Sequence, residues 1–339
     1  MRDGVAHRLL THGIRDLRHD EAVRRLLPLL ALLCLAAPAT ALADWRSVAD
    51  PSARPDVPAL TVSQDLPGGT VILRTWYDTW NGHRRALTIL YPKRLTGTGI
   101  PAPLVVAAHP AGGASTCADQ MAALPGRFGF VLACLDGQGD FTRSFSYGSP
   151  GQIRDLAAAP DLIASRLPGF KIDARRMTIV GSSMGGTEAL LVGLRYPQAY
   201  RRAIALDPVT DLGFRFNSLP YNRRYLLAAE CDGTPEDQAE CYAQRSPMTY
   251  VGARPAGSTV LDVWYSTADP VSGASQQVPT FVAAERAVLP PGQLEIRLGT
   301  WNHGALWDRA DHRAAWLIDA GVVPVGGLPA VAGFGRWPG

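Results

Sequence analysis

The run TIVGSSMGGTEAL, residues 178–190, sets two serines between glycines directly after a β-branched stretch. Met177–Val180 reads as a buried strand, and the pattern over 184–195 reads as a helix. A strand that turns at once into a helix needs a sharp turn, and Gly181-Ser182-Ser183-Met184-Gly185 fits G-x-S-x-G centred on Ser183. The positions two residues either side press on neighbouring backbone, so they must lack side chains. Centring the pattern on Ser182 would put Val180 and Met184 in those positions, which fails. Ser183 is the candidate nucleophile. The helix that follows presents its N-terminus to the same point and favours negative charge there.

Working outward, apolar strands alternate with helical patterns on both sides of this turn. The strand-like runs cover 70–77, 85–92, 103–109, 129–135, 176–180, 202–206, 259–265 and 293–298, and helices are expected at 153–166, 184–195, 274–287 and 304–319. The first two strands read as a hairpin turning at Asn81-Gly82. The later, continuously apolar runs read as parallel strands buried on both faces. This alternation predicts one doubly wound, mostly parallel α/β sheet. Pro160 is expected to kink or interrupt the first helix. Residues 213–257 break the alternation before the 259–265 strand and read as a lid-like insertion. Residues 44–69 read as an extended lead-in, 70–319 as the main domain and 320–339 as a loosely packed Gly/Pro-rich tail.

The chain has 339 residues, 47% of them hydrophobic and 19% charged, with formal net charge +3. That is enough to bury a large core. No basic cluster interleaved with aromatics occurs, so nucleic acid is not an expected partner. Arg24 and Arg25 precede the apolar run 26–37, and Ala41 and Ala43 then fit a small-residue cleavage site. This is an export signal over 1–43. The run is short against the roughly 20 residues a membrane span needs, so no lasting anchor is expected. Cleavage leaves Cys117, Cys134, Cys231 and Cys241, an even number in an exported chain. Cys117 with Cys134 and Cys231 with Cys241 each close a short loop, and these pairings are expected.

A serine nucleophile needs a base. Beyond the leader the histidines are His83, His109, His303 and His312. On such a sheet the order is serine, acid, histidine. His303, after the last strand and beside Gly304, is the expected base, while His312 among Arg309, Asp311 and Arg313 reads as solvated surface. Asp269, in the loop after 259–265, is the expected acid, with Asp207 and Asp211 one strand earlier as competitors. Two backbone N–H groups should bind the oxyanion: Met184, and Ala111 in the loop after 103–109, where Pro110 has no N–H to offer. His109 reads as structural. Phe141, Phe145 and Tyr147, in the loop 136–149, are candidates to line a substrate pocket. No C-x-x-C spacing suggests zinc or redox chemistry.

The HPAGG loop, the GSSMGG elbow, ALDPVTDL, STADPV and WNHG together resemble the α/β-hydrolase superfamily. The segment from Gly181 to Leu212 is similar to the catalytic domain of prolyl-oligopeptidase-type serine peptidases. RRALTILYPKRL and APLVVAAHPAGG resemble secreted feruloyl-esterase and polyhydroxybutyrate-depolymerase relatives. The resemblance covers residues 70–318 and implies an α/β-hydrolase fold with Ser183, Asp269 and His303 as its triad and no cofactor. It implies an exported serine hydrolase acting on small-molecule or polymer esters. A serine peptidase is the alternative, and a catalytically idle binding fold a third.

Overall fold

In the computed structural model, the described residues are 56–112, 117–137, 145–255, 259–328 and 335–336. The leader, Phe141 and tail residues 329–334 and 337–339 lie outside them. Ten strands form one sheet, in the order β1-β2-β3-β5-β4-β6-β7-β8-β9-β10. The elements run β1 (Val62–Leu66), β2 (Thr70–Asp78), β3 (Arg84–Pro92), β4 (Pro101–Ala108), α1 (Cys117–Met121), α2 (Leu124–Phe128), β5 (Val131–Leu135) and α3 (Pro150–Arg166). They continue with β6 (Lys171–Ser182), α4 (Met184–Arg195), β7 (Arg202–Leu206), α5 (Leu212–Ser218), α6 (Tyr225–Cys231) and α7 (Ala239–Gln244). The last are β8 (Val260–Ser266), α8 (Ala274–Arg286), β9 (Leu294–Gly299), α9 (Ala305–Asp308), α10 (Ala310–Asp319) and β10 (Gly335–Arg336). Strands β4 to β9 pair in parallel, and β1, β2, β3 and β10 are antiparallel to their neighbours. The expected doubly wound, mostly parallel sheet is present. Two short strands lie in segments read as lead-in and tail: β1 pairs with β2, and Gly335 and Arg336 pair with Leu298 and Arg297.

The parallel strands are buried on both faces because their alternate residues feed two different cores. On β4, Leu104, Val106 and Ala108 join one core, while Val105 and Ala107 join the other. On β5, Val131, Ala133 and Leu135 face the first core. Leu132 and Cys134 face the second, where α1 brings Cys117. The period of two thus places Cys134 on the face where its partner waits, and the Cys117–Cys134 disulfide forms. Helix α4 is buried from Met184 to Leu194, the position of a helix apolar on all sides. Each fully buried Leu- or Ile-sized side chain here is worth about 1.5–3 kcal/mol.

Helix α3 narrows one expectation, that Pro160 kinks or interrupts it. It begins as the sequence dictates, with Ser149 accepting from the Gln152 N–H and Pro150 in the first turn. Pro160 does not interrupt it, and the helix runs unbroken to Arg166. Proline has no N–H for the carbonyl four residues back, but Tyr200 Oη donates to that Leu156 carbonyl at 2.7 Å. His312 is a correction. It is buried, beside Trp316 and Leu317 on α10, with Nδ1 3.0 Å from Asp311 Oδ1. The local charges gave it a surface look, but the helix turns it inward.

The insertion carries its own small core of Val209, Leu212, Phe216, Leu219, Leu227, Ala228, Cys231 and Tyr242. The Cys231–Cys241 disulfide ties α6 to α7. The arginine of a buried ion pair within this unit also reaches the sheet domain. Arg245 Nη1 lies 3.0 Å from Glu230 Oε2 and donates to the Ser146 carbonyl at 2.9 Å. Removing one member of such a pair strands the other charge in the interior. Arg245→Ala should therefore lower unfolding free energy by about 3–5 kcal/mol in urea denaturation. A loss below 1 kcal/mol would mean that water reaches Glu230.

Candidate active site

The parallel strands end in register. Ala108 pairs with Gly181, Ser182 with Leu206, Leu206 with Trp264, and Ser266 with Gly299. The loops leaving their C-terminal ends carry Ala111, Ser183, Asp207, Asp269 and His303. Loops at this edge of a parallel sheet meet over a common crevice. A cavity of about 660 Å³ lies there, lined among others by Ala111, Ser183, Phe145, Tyr147 and His303.

The turn at Ser183 is built as its glycines predict. Ser183 has φ 57° and ψ −117°, a conformation that costs a non-glycine residue about 1–3 kcal/mol. Its N–H donates to the Leu206 carbonyl at 2.8 Å, and its carbonyl accepts from Thr187 N–H at 3.1 Å. A Cβ on Gly181 would sit 2.2 Å from the Gly185 carbonyl oxygen. One on Gly185 would sit 2.3 Å from the Ala108 carbonyl oxygen. Both obstacles are backbone and cannot swing aside. Met184 opens α4, so its amide is among the first-turn N–H groups that have no partner within the helix.

Asp269 and His303, 34 residues apart, meet at the cavity's edge, with His303 Nδ1 2.8 Å from Asp269 Oδ2. The loop fixes the carboxylate. Oδ1 accepts from Val271 N–H at 2.7 Å, and Oδ2 accepts from Ser272 Oγ at 2.5 Å. Burial opposes ionisation, but the hydrogen bonds from His303, Ser272 and Val271 outweigh it and pull the Asp269 carboxyl down to about 2. An ionised carboxylate can only accept, so His303 Nδ1 carries the proton and Nε2 is left as the basic nitrogen.

Asp207 has a larger place than a sequence competitor for the acid. It is fully buried at φ 47°. Its Oδ1 accepts from Ser266 N–H at 3.0 Å, and its Oδ2 from the Trp301 indole at 2.8 Å. It therefore ties the ends of β7 and β8 to the loop that carries His303. Carboxylate and ring atoms of Asp207, Asp269 and His303 lie within 4.8 Å of one another. All four carboxylate oxygens are engaged by hydrogen bonds, so the group is a hydrogen-bonded network and not an open donor set for a cation. Burial, together with the neighbouring Asp269 charge, pushes the Asp207 carboxyl up to about 7. A sequence signal for this existed: Asp207-Pro208-Val209-Thr210 repeats the pattern Asp269-Pro270-Val271-Ser272 at the end of the adjacent strand. Asp211 instead caps α5, accepting from Phe214 N–H at 2.9 Å.

The remaining candidates separate. Phe145 and Tyr147 both line the cavity, with ring centroids 6.4 Å apart and nearly parallel planes. Glu188, buried on α4, fixes their loop by accepting from Ser146 Oγ and from Gly148 N–H. Sequence reasoning missed Glu188, because nothing local marks one glutamate in a helix. His109 is buried away from the cavity lining, its Nδ1 donating to the Pro110 carbonyl at 2.9 Å, in keeping with a structural role.

The comparisons agree with this architecture. The family model "Esterase: Putative esterase" matches residues 159–317. No curated protein matches the sequence. Among solved structures, S-formylglutathione hydrolase from Agrobacterium tumefaciens aligns with TM-score 0.58 and 16% identity, over 77% of this chain and 98% of that one. Brefeldin A esterase, a bacterial homologue of human hormone-sensitive lipase, aligns with TM-score 0.57 and 17% identity, over 85% and 84%. Oligopeptidase B from Leishmania major aligns with TM-score 0.59 and 18% identity over 75% of this chain, which spans only 36% of that protein. Residues 159–317 thus resemble an esterase family, and the chain shares the fold of these hydrolases.

Two expectations follow for the site. Gly185→Ala should destabilise the protein by about 3 kcal/mol or more, the upper end of overpacking costs, and a soluble variant of unchanged Tm would show that the elbow can relax. The second concerns pH. In the folded protein Asp207 holds its proton up to about 7, whereas the unfolded chain releases it near 3.9. The folded state thus binds more protons between these values, and this group's contribution to stability falls as pH rises from about 4 through 7. Asp207→Asn removes that slope. Denaturation at pH 5 and pH 8 should show a smaller stability difference in the variant than in the wild type, and equal differences would contradict it.

Proposed function

We propose that the protein is an exported hydrolase of carboxylic esters, with Ser183 as nucleophile, His303 as general base and Asp269 as the acid that orients it. One observation carries the reading. Ser183, in its strained turn, and His303, hydrogen-bonded to Asp269, line one cavity. His303 Nε2 takes the proton as Ser183 Oγ attacks the ester carbonyl carbon. The N–H groups of Met184 and Ala111 hold the oxyanion, supported by the N-terminus of α4. Collapse of the tetrahedral species expels the alcohol, which takes its proton from His303. Water, deprotonated by His303, then attacks the acyl-enzyme and releases the acid. The Asp269 carboxylate stabilises the imidazolium that forms in each half-reaction.

Ester is favoured over peptide by the esterase family match, and by a likeness that spans 98% of a hydrolase, against one that spans 36% of a peptidase. Export is supported by the leader pattern in residues 1–43 and by two disulfides. Among the described residues no helix is long and apolar enough to cross a membrane. The organisation we propose is the leader, the extended lead-in to residue 69, a catalytic domain over 70–319 with the 213–257 insertion as its lid, and the tail.

Short p-nitrophenyl acyl esters test this reading. Wild-type protein should release p-nitrophenol and take up a fluorophosphonate label. Ser183→Ala should lose both, with turnover falling by on the order of 10⁶ if the triad acts as a unit. Equal rates in folded wild type and variant would overturn it.

A further inference from the structure

The cavity wall contributed by the insertion holds Arg215 and Arg223. Arg215 is half-buried on α5, and Arg223 is exposed just before α6. Among the described residues neither guanidinium has a carboxylate partner. The next arginine differs: Arg224 donates to the carbonyls of Leu219 and Asn217 and lies against Phe216. Arg245 is paired with Glu230. The insertion thus satisfies its structural arginines and leaves two cations beside Ser183.

Their surroundings do not neutralise them. Burial lowers the Arg215 pKa, and the like charge of Arg223 adds to this. Arginine stays cationic even so. Tyr147 and Asp269 act on Arg215 in the other direction, but a phenol is neutral near pH 7, and the Asp269 carboxylate is already held by His303, Ser272 and Val271. Among the described residues Asp308 is the one acid in the lining, and it belongs to α9 on the His303 loop, not to the insertion. A neutral ester would leave both guanidinium groups without a charge partner when it displaces water from the cavity. A carboxylate would fit their planar donor fork and offset that loss.

We propose that the preferred substrates are esters carrying a carboxylate, bound by Arg215 and Arg223. This rests on the ester-hydrolase reading and gives it a substrate class. The aromatic rings of Phe145, Tyr147 and Tyr225 in the same lining suit a carbon chain or ring between the carboxylate and the scissile ester.

Two matched pairs of substrates test it. p-Nitrophenyl hydrogen adipate against p-nitrophenyl methyl adipate places the charge on the acyl side. 4-Butyryloxybenzoate against 4-butyryloxybenzamide places it on the leaving group. In wild type, kcat/KM should favour the anionic member of one pair by about 10- to 100-fold, the scale of charge-assisted hydrogen bonds. That ratio should fall toward one in Arg215→Gln and in Arg223→Gln. Arg223 is exposed, so its variant keeps the test open if Arg215→Gln does not fold. Ser183-dependent hydrolysis with a ratio of one in both pairs, or a ratio that neither variant moves, overturns the inference and leaves ester hydrolysis standing. If no ester is hydrolysed, the function reading fails, and binding decides the inference separately. Calorimetric titration of Ser183→Ala should then show tighter binding of monomethyl adipate than of dimethyl adipate, lost in Arg223→Gln. Equal binding, or none, overturns it.

Discussion

The close approach of backbone at Gly181 and Gly185 is the constraint on which the site depends. With a side chain at either position the elbow would collide with a carbonyl oxygen, at 2.2 Å in one case and 2.3 Å in the other. Because both are bare, α4 can start directly at the end of β6. Ser183 is then forced to φ 57°, where its hydrogen bonds to Leu206 and Thr187 hold it. The strain is local, and it is sustained by packing that would have to be undone to release it. Helix α4 is buried along nearly its whole length, and β6 lies between β4 and β7.

Around this fixed point, the loops that follow β7 and β9 are tied to one another and to the end of β8. Asp207 reaches the amide of Ser266 and the indole of Trp301, and Ser266 Oγ in turn donates to the Trp301 carbonyl at 2.5 Å. Trp301 stands two residues before His303, so this buried polar network sets the course of the loop that brings the imidazole to Asp269. A network of this kind holds geometry well because every lost bond would leave a polar group in the interior.

The insertion meets the site from the other side. Its own small core and disulfide make it a unit, and Arg245 links it to the loop that carries Phe145 and Tyr147. Glu188 holds that same loop from α4, the helix that begins beside Ser183. The elbow, the aromatic loop and the insertion are therefore joined through buried charges. Cavity shape and cavity chemistry come from an element that the sheet itself does not need.

The order of strands and helices, the doubly wound sheet, both disulfide pairs and the glycine-framed turn at Ser183 were legible in the sequence. Each leaves a local mark: apolar runs, periodicity, a short cysteine spacing, or a position where only glycine fits. The continuity of α3 through Pro160, the burial of His312, the bond from Trp301 to Asp207 and the cation pair in the cavity were not legible. Each depends on a group distant in the chain. Tyr200 reaches the Leu156 carbonyl across 44 residues, and Trp301 meets Asp207 across 94 residues. Local sequence reports what a segment must bury and how its backbone can turn. Which polar group answers another is decided only when the strand ends come into register, because hydrogen bonds and ion pairs act over a few ångströms in space whatever the separation along the chain.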